Sequence, residues 1–244
     1  MIGLYDLSNR PATFDIAQFC AVAGAYGVDH IRFVLGGWKK KNYSLEQAEE
    51  RYRSIVEPMP ALFGMTYSVG AREGVEFNHM INSVMKAHEQ EGKTGRIKYP
   101  CVDKGYVTVT LRNSRTPERN TQDKEWEKFA ERCDREVIFV PDYEDKPISL
   151  QERMALYAGA HVNLMISNGP GSLCMFSDAP FVSMRTIGCE KSMSASPWFM
   201  ERLGITPGYQ FPWLRPNQRL SYLDDTAENI MTEYRAFTEQ RMAA

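Results

Sequence analysis

The chain has 244 residues, 43% of them hydrophobic and 25% charged, with a formal net charge of −2 and an isoelectric point near 6.1. That size allows one large soluble domain or two small ones. The near-neutral balance excludes a globally basic surface for nucleic acid or anionic membrane, so any site for a polyanion has to be local. No run approaches the roughly 18 apolar residues of a membrane span, and the opening MIGLYDLSNR lacks the basic-then-apolar order of a secretory signal. A cytoplasmic protein is expected. Cys20, Cys101, Cys133, Cys174 and Cys189 are odd in number and form no CxxC pair, which argues against a disulfide framework and against a zinc site.

Along the chain, apolar runs of strand length alternate with segments of helical period, the pattern of an α/β fold with parallel sheets. The first part reads as a strand at MIGLYDL, a helix near 13 to 26, a strand at HIRFVLG, a helix from Ser44 to about Val56 and a short strand at MTYSV. Ser44 with Gln47 three residues on makes a capping box. Residues 75 to 91 read as one helix, and GKTGRIKYP after it as a linker. The second part repeats the plan: strand YVTVTLR, helix 123 to 133, strand EVIFVPD, helix 149 to 160, strand HVNLMIS, a helix opening at a glycine turn, and strand FVSMRT. These are successive βα units of a Rossmann-like half. After a short helix at PWFMERLG and the aromatic stretch YQFPWLRP, a helix over 226 to 240 ends the chain. The boundaries expected are 1–95, 100–222 and 223–244.

In open α/β sheets, ligands bind outside the carboxyl ends of the strands, so residues at strand ends come first. SNGPGS follows HVNLMIS directly. Its glycines let the backbone approach a ligand, and Asn168, Gly169, Gly171 and Ser172 offer amides and side-chain groups for a phosphate or sugar hydroxyl. A tight strand-to-helix turn accounts for the same residues. TLRNSRTPERN sets Arg112, Asn113, Ser114, Arg115 and Arg119 after another strand, and guanidinium groups there match a diphosphate; the alternative is a solvated basic loop. At the third strand end, Tyr143 suits stacking on a base and Asp142 suits ribose hydroxyls, or both belong to an ordinary acidic loop.

Taken together, the strand ending in arginine, the helix-strand pair and LQERMALYAGAHVNLMISNGPGSLCMFSDAPFVSM resemble the nucleotide-sugar domain of GT-B glycosyltransferases such as the heptosyltransferase-like and fucosyltransferase-like enzymes. The resemblance covers roughly residues 100 to 215. It implies two Rossmann-like halves, the acceptor on the first and the nucleotide sugar on the second, with the closing helix packing back on the first half. It also implies that Arg112 and the amides from Gly169 to Ser172 hold the donor diphosphate. The first half is short for an acceptor domain, and Asn168 to Gly171 replace the usual heptosyltransferase glycine-histidine pattern.

An inverting transfer needs a general base on the acceptor side. Asp6, ending the first strand, and Glu73, after the third, are the candidates, with helix capping the other role open to Asp6. Trp38 in GGWKKKNY suits stacking of an acceptor sugar, or lies in an exposed loop. His161 precedes its strand, away from the carboxyl ends, and reads as structural. No metal motif is present, and Asp224-Asp225 reads as a helix cap. The expectation is a metal-independent glycosyltransferase that uses a nucleotide sugar as substrate, a glycan or related acceptor and no cofactor. The alternatives are pyruvyl transfer, sugar-nucleotide epimerisation, or a noncatalytic module that binds a nucleotide or glycan.

Overall fold

The computed structural model describes residues 1–10, 12–36, 44–114, 117–141, 148–188 and 196–242. The chain divides into two compact units, Met1–Tyr99 and Pro100–Ala244. In both, parallel strands are flanked by helices, the α/β architecture that the alternating pattern predicts.

The first unit contains β1 (Ile2–Asp6), α1 (Asp15–Ala25), β2 (His30–Val34), α2 (Leu45–Arg51), α3 (Met59–Leu62), β3 (Thr66–Val69), β4 (Val75–Glu76) and α4 (Ile81–Glu91). Ser44 caps α2 as its sequence predicts: its hydroxyl accepts the Gln47 N–H while the Gln47 side chain accepts the Ser44 N–H. The helix then runs on through a π turn, Tyr52–Val56. The strand order is β3-β2-β1-β4, all parallel, so β1 is flanked on both sides. Tyr5, Phe19 and Phe33 form the buried aromatic centre, with the Tyr5 and Phe19 rings 5.0 Å apart and edge to face.

One sequence expectation changes here. Residues 75 to 91 are not one helix: Val75–Glu76 pair with Gly3 and Leu4, and α4 begins only at Ile81. Gly74 makes the difference, because it holds φ at 137°, which residues with a side chain rarely adopt, and a Cβ there would stand 2.9 Å from the Ile2 carbonyl oxygen. GKTGRIKYP, read as a linker, contains the boundary between the two units at Tyr99 and Pro100, and its first part is held against α1. Gly95 donates to the Ala21 carbonyl at 2.8 Å, and a Cβ there would meet α1 backbone oxygens at 2.8 and 2.9 Å.

The second unit contains β5 (Val107–Thr110), α5 (Asp123–Arg132), β6 (Val137–Val140), α6 (Leu150–Gly159), β7 (Val162–Ile166), α7 (Gly171–Met175), β8 (Phe181–Met184), α8 (Pro197–Arg202), β9 (Gln218–Leu220) and α9 (Ala227–Met242). Its parallel sheet has the order β6-β5-β7-β8-β9. The closing helix contributes to the core of the second unit. Ile230, Met231, Tyr234 and Phe237 join Val107, Val109, Trp126, Phe129, Val162 and Leu164 in the core of the second unit. Its last turn is tied there too, since Arg241 donates to the His161 carbonyl at 2.6 Å and pairs with Asp103 at 3.1 Å. The stretch YQFPWLRP is likewise packing: Phe211 and Trp213 stack 4.7 Å apart, and both are buried.

One buried carboxylate ties this unit together. Asp225 is fully buried and accepts from the Gln122 N–H at 3.0 Å, the Trp126 indole N–H at 3.0 Å and Arg185 at 3.2 Å. Breaking a buried ion pair strands the other charge, at about 3–5 kcal/mol. Asp225→Ala is therefore expected to destabilise the second unit by roughly that amount in denaturant unfolding, and a loss below about 1 kcal/mol would show that these bonds add nothing net. A second electrostatic contribution comes from Asp103. Burial raises its carboxyl, but hydrogen bonds from His161 and the Gly105 N–H, with the charge of Arg241, outweigh burial and hold it below the usual carboxylate range. A depressed folded-state value contributes stability at neutral pH that is lost on acidification through the carboxylate range. Melting curves between about pH 6 and pH 3 should thus show a smaller acid loss in Asp103→Asn than in the native chain.

Candidate functional site

Each sheet has one place where the strand order reverses, and there the loops leave in opposite directions. In the second unit β5 is flanked by β6 on one side and β7 on the other, so the reversal lies between β5 and β7. Arg112 follows β5 and the Ser167–Ser172 turn follows β7. The structure brings them into contact: an Arg112 guanidinium N–H donates to the Ser167 carbonyl. This arginine therefore fastens the two strand ends as well as standing at their mouth.

The loop after Arg112 is built by side chains. Thr121 donates its backbone N–H to the Arg112 carbonyl at 3.2 Å, closing the loop at its base. The Asn120 carboxamide accepts from the Ser114 N–H at 2.7 Å and hydroxyl at 2.8 Å, and returns a bond to the Ser114 carbonyl at 3.1 Å. Asn113 projects from this loop exposed, and Arg119 sits half-buried in the short 3-10 turn Pro117–Arg119. Arg115, Asp142 and Tyr143 lie outside the described residues, as does Trp38. Ser114 thus serves the loop's own shape, and its neighbours remain at the strand end.

The glycine turn closes largely on itself. The Gly171 N–H donates to Asn168 Oδ1 at 2.7 Å, the Ser172 N–H to the Gly169 carbonyl at 3.1 Å and the Ser172 hydroxyl to the same carbonyl at 2.7 Å. A Cβ on Gly171 would stand 2.7 Å from Met165 Sδ and 3.1 Å from Asn168 Oδ1, so a larger residue there would displace these side chains. α7 spans only Gly171–Met175, too short to carry the anion-attracting end of a long helix. Two groups remain for a ligand. Gly169 is exposed, and Asn168 Nδ2 is a buried donor with no hydrogen-bond partner among the described residues. An unpaired buried amide N–H costs about 1–3 kcal/mol, which a bound acceptor atom would recover.

Residues that the motifs did not single out complete the second-unit site. Arg185, directly after β8, is the one described non-glycine residue with positive φ, at 47°. That conformation costs about 1–2 kcal/mol for a residue with a Cβ. It aims the guanidinium both at Asp225 and at the Asn120 carbonyl, 2.8 Å away, so Asp225 holds Arg185 and Arg185 holds the arginine loop. Arg153, 1% exposed on α6, donates to the Pro141 carbonyl beyond β6 at 2.8 Å and to the Tyr157 hydroxyl at 3.3 Å. Arg112, Arg119, Arg153 and Arg185 thus share one end of the sheet, where Asp225 is the buried carboxylate.

In the first unit the reversal lies between β1 and β4, and Asp6 ends β1. Asp6 is 1% exposed, accepts from the Ser8 N–H at 2.9 Å and the Asn9 amide at 3.3 Å, and is ion-paired with Arg72. It therefore shapes the β1-to-α1 loop rather than capping α1, whose N-terminal turn is instead flanked by the Thr13–Asp15 contact at 2.8 Å. Glu73 is turned elsewhere: its carboxylate pairs with Arg32 of β2 at 2.8 Å and is 75% exposed. His161 lies at the amino end of β7, 2.8 Å from Asp103, consistent with a structural part. Among the described residues no group of three or more His, Cys, Asp or Glu is placed to hold a metal ion, and no helix is long and apolar enough to cross a membrane.

No known protein family and no curated protein sequence matches the chain. Among solved structures it is similar to the bacterial iron-containing dodecameric glycosyltransferase TibC from enterotoxigenic E. coli H10407, at 12% identity and a TM-score of 0.47 over 98% of this chain and 76% of that one. It is also similar to the E. coli heptosyltransferase WaaC with ADP, at 11% identity and a TM-score of 0.44 over 98% and 99% of the two chains. The same enzyme with ADP-2-deoxy-2-fluoro heptose gives 12% identity and a TM-score of 0.44 over 97% and 99%.

Proposed function

We propose that this chain is a metal-independent glycosyltransferase, with the diphosphate of a nucleotide sugar held by the second unit and a glycan or related acceptor by the first. The observation that carries this reading is the position of Arg112, at the point where the strand order of the second sheet reverses and in contact with the end of β7. A diphosphate placed there meets the guanidinium, the exposed Gly169 backbone and the unpartnered Asn168 Nδ2. Arg115 and Arg119 belong to the same loop, and Asp142 and Tyr143 follow the neighbouring strand β6 as the groups for ribose and base.

The chemistry asked of these residues is modest. As the acceptor hydroxyl attacks the anomeric carbon, the bond to the diphosphate oxygen breaks and its electron pair leaves with the nucleotide. Fixed cationic donors stabilise that developing charge, and removing one donor of this kind costs about 10²–10³ in rate. The acceptor proton goes to a carboxylate, for which Asp6 is the candidate once Arg72 moves off it; Glu73 is the second, on the same loop. Arg153 and Arg185 add positive potential behind the site and keep the loop in place.

Thermal unfolding in the presence of UDP, GDP, ADP and CMP, with magnesium or with EDTA, checks the donor side. A nucleotide at about 100 times its dissociation constant adds roughly 2.7 kcal/mol to the folded state. One nucleotide is expected to stabilise the protein equally in EDTA; no response to any of them, or a response that EDTA abolishes, overturns the reading. Arg112→Ala is expected to remove that stabilisation and to lower transfer at least about 100-fold. If instead the variant melts early without ligand yet keeps its nucleotide response, Arg112 serves only to fasten β5 to β7. Binding that persists with no transfer to any glycan would favour the noncatalytic module.

A further inference from the structure

We propose that the carboxyl end of β1 carries an oxyanion-binding subsite in which Arg10, from the β1–α1 loop, and Arg72, from the β3–β4 connection, receive a carboxylate or phosphate group. The inference concerns the first unit alone and stands whatever the second unit binds.

Arg10 is the unusual residue. Its guanidinium lies 5.2 Å from the ring centres of both Tyr5 and Phe19, two fully buried side chains, and is itself half-buried. Stacking of this kind holds the planar cation at a fixed tilt and leaves its edge available. That edge meets His79 Nδ1 at 3.4 Å, a neutral partner when the imidazole is unprotonated, and Arg10 forms no ion pair among the described residues. Burial pulls the Arg10 guanidinium down, while the charge of exposed Glu76 pushes the other way. A cation taken partly out of water without a bonded counterion is costly, and a bound oxyanion removes that cost.

Arg72 supplies the second fork. It donates to Asp6 and, at 3.2 Å, to the Ser8 hydroxyl, yet its side chain stays 54% exposed. A guanidinium has five N–H donors, so the contact with Asp6 leaves others directed to solvent. Among the neighbouring acids, exposed Glu76 acts on Arg10 through space and forms no ion pair with it among the described residues, and the others are engaged. Asp6 is 1% exposed with Ser8 and Asn9 donating to it, Glu73 is engaged by Arg32, and Asp15 is engaged by Thr13. Asn9, exposed beside Arg10, and Ser8 complete a rim of neutral donors. The whole group stands at the carboxyl end of β1, where this sheet's strand order reverses and where parallel α/β sheets take their ligands. Two arginines, one from the β1–α1 loop and one from the β3–β4 connection, select a planar or tetrahedral oxyanion over a neutral hydroxyl, because each can give paired N–H bonds.

The test is calorimetric titration of the full chain with glucuronate, glucose 6-phosphate and neutral glucose, with hydrogen exchange followed on the same samples. At least one acid is expected to bind where glucose does not, with new protection over residues 6–10 and 70–79. The tighter of the two assigns the group as carboxylate or phosphate. Arg10→Gln and Arg72→Gln should each weaken the acid by at least about tenfold, the effect of losing one charge-assisted bond. Circular dichroism and melting establish that each variant is folded. If Arg10→Gln is not, Arg72→Gln carries the test, since its side chain is half exposed. Acids that bind no better than glucose, folded variants that bind as the native chain does, or protection confined to residues beyond 100 would each overturn the subsite.

Discussion

A strand with parallel neighbours on both sides sets the organisation of both units. Each right-handed crossover from such a strand lays its helix on one face or the other, so the two loops at its carboxyl end separate and leave a crevice that no backbone element fills. β1 occupies that position in the order β3-β2-β1-β4, and β5 in the order β6-β5-β7-β8-β9. The polar machinery of each unit collects at that crevice. Asp6, Arg10 and Arg72 gather at the first, and Arg112, Asn168 and Gly169 at the second.

The two crevices are stiffened differently. In the first unit a local loop does the work: Asp6 accepts from residues two and three positions on, and Arg72 arrives from the β3–β4 connection to close the carboxylate. In the second, the stiffening comes from a distance. Asp225 lies more than a hundred residues beyond Arg112 in the chain, and it reaches the arginine loop through Gln122, Trp126 and Arg185. A fully buried carboxylate is tolerated there because every contact it makes is a donor, one of them cationic. The strained backbone of Arg185 fits the same logic, since a φ of 47° aims its guanidinium at two partners at once.

Glycine plays two distinct parts around these sites. At Gly74 a φ of 137° is what lets the chain enter β4, which in turn creates the first crevice. At Gly171 the backbone angle is ordinary and the constraint is contact, because a side chain there would displace the Met165 sulfur and the Asn168 carboxamide. A motif of small residues at a strand end therefore reports packing of the turn on its own strand as readily as the approach of a ligand, and only the unused donors distinguish the two.

The α/β class, the order of nearly all elements and the capping box at Ser44 were legible in the residues alone, because hydrophobic period and caps are local properties. The sequence also placed Arg112, Asn168 and Asp6 at strand ends, since an apolar run followed by polar residues marks that boundary directly. Tertiary structure decided the rest. Val75–Glu76 is too short for a period to show, and it becomes a strand only by pairing with Gly3 and Leu4. The helix at the chain's end joins the second unit because its apolar face fits Trp126 and Phe129, a choice that its own amphipathic pattern leaves open. Arg10, Arg72, Arg153 and Arg185 carry no motif, and Asp225, which the sequence offers as a helix cap, instead accepts from Gln122, Trp126 and Arg185; their roles come from partners up to about a hundred residues away in the chain. Local propensity fixes which element a residue belongs to; which charge it meets is settled only when the strand order brings distant loops to one edge.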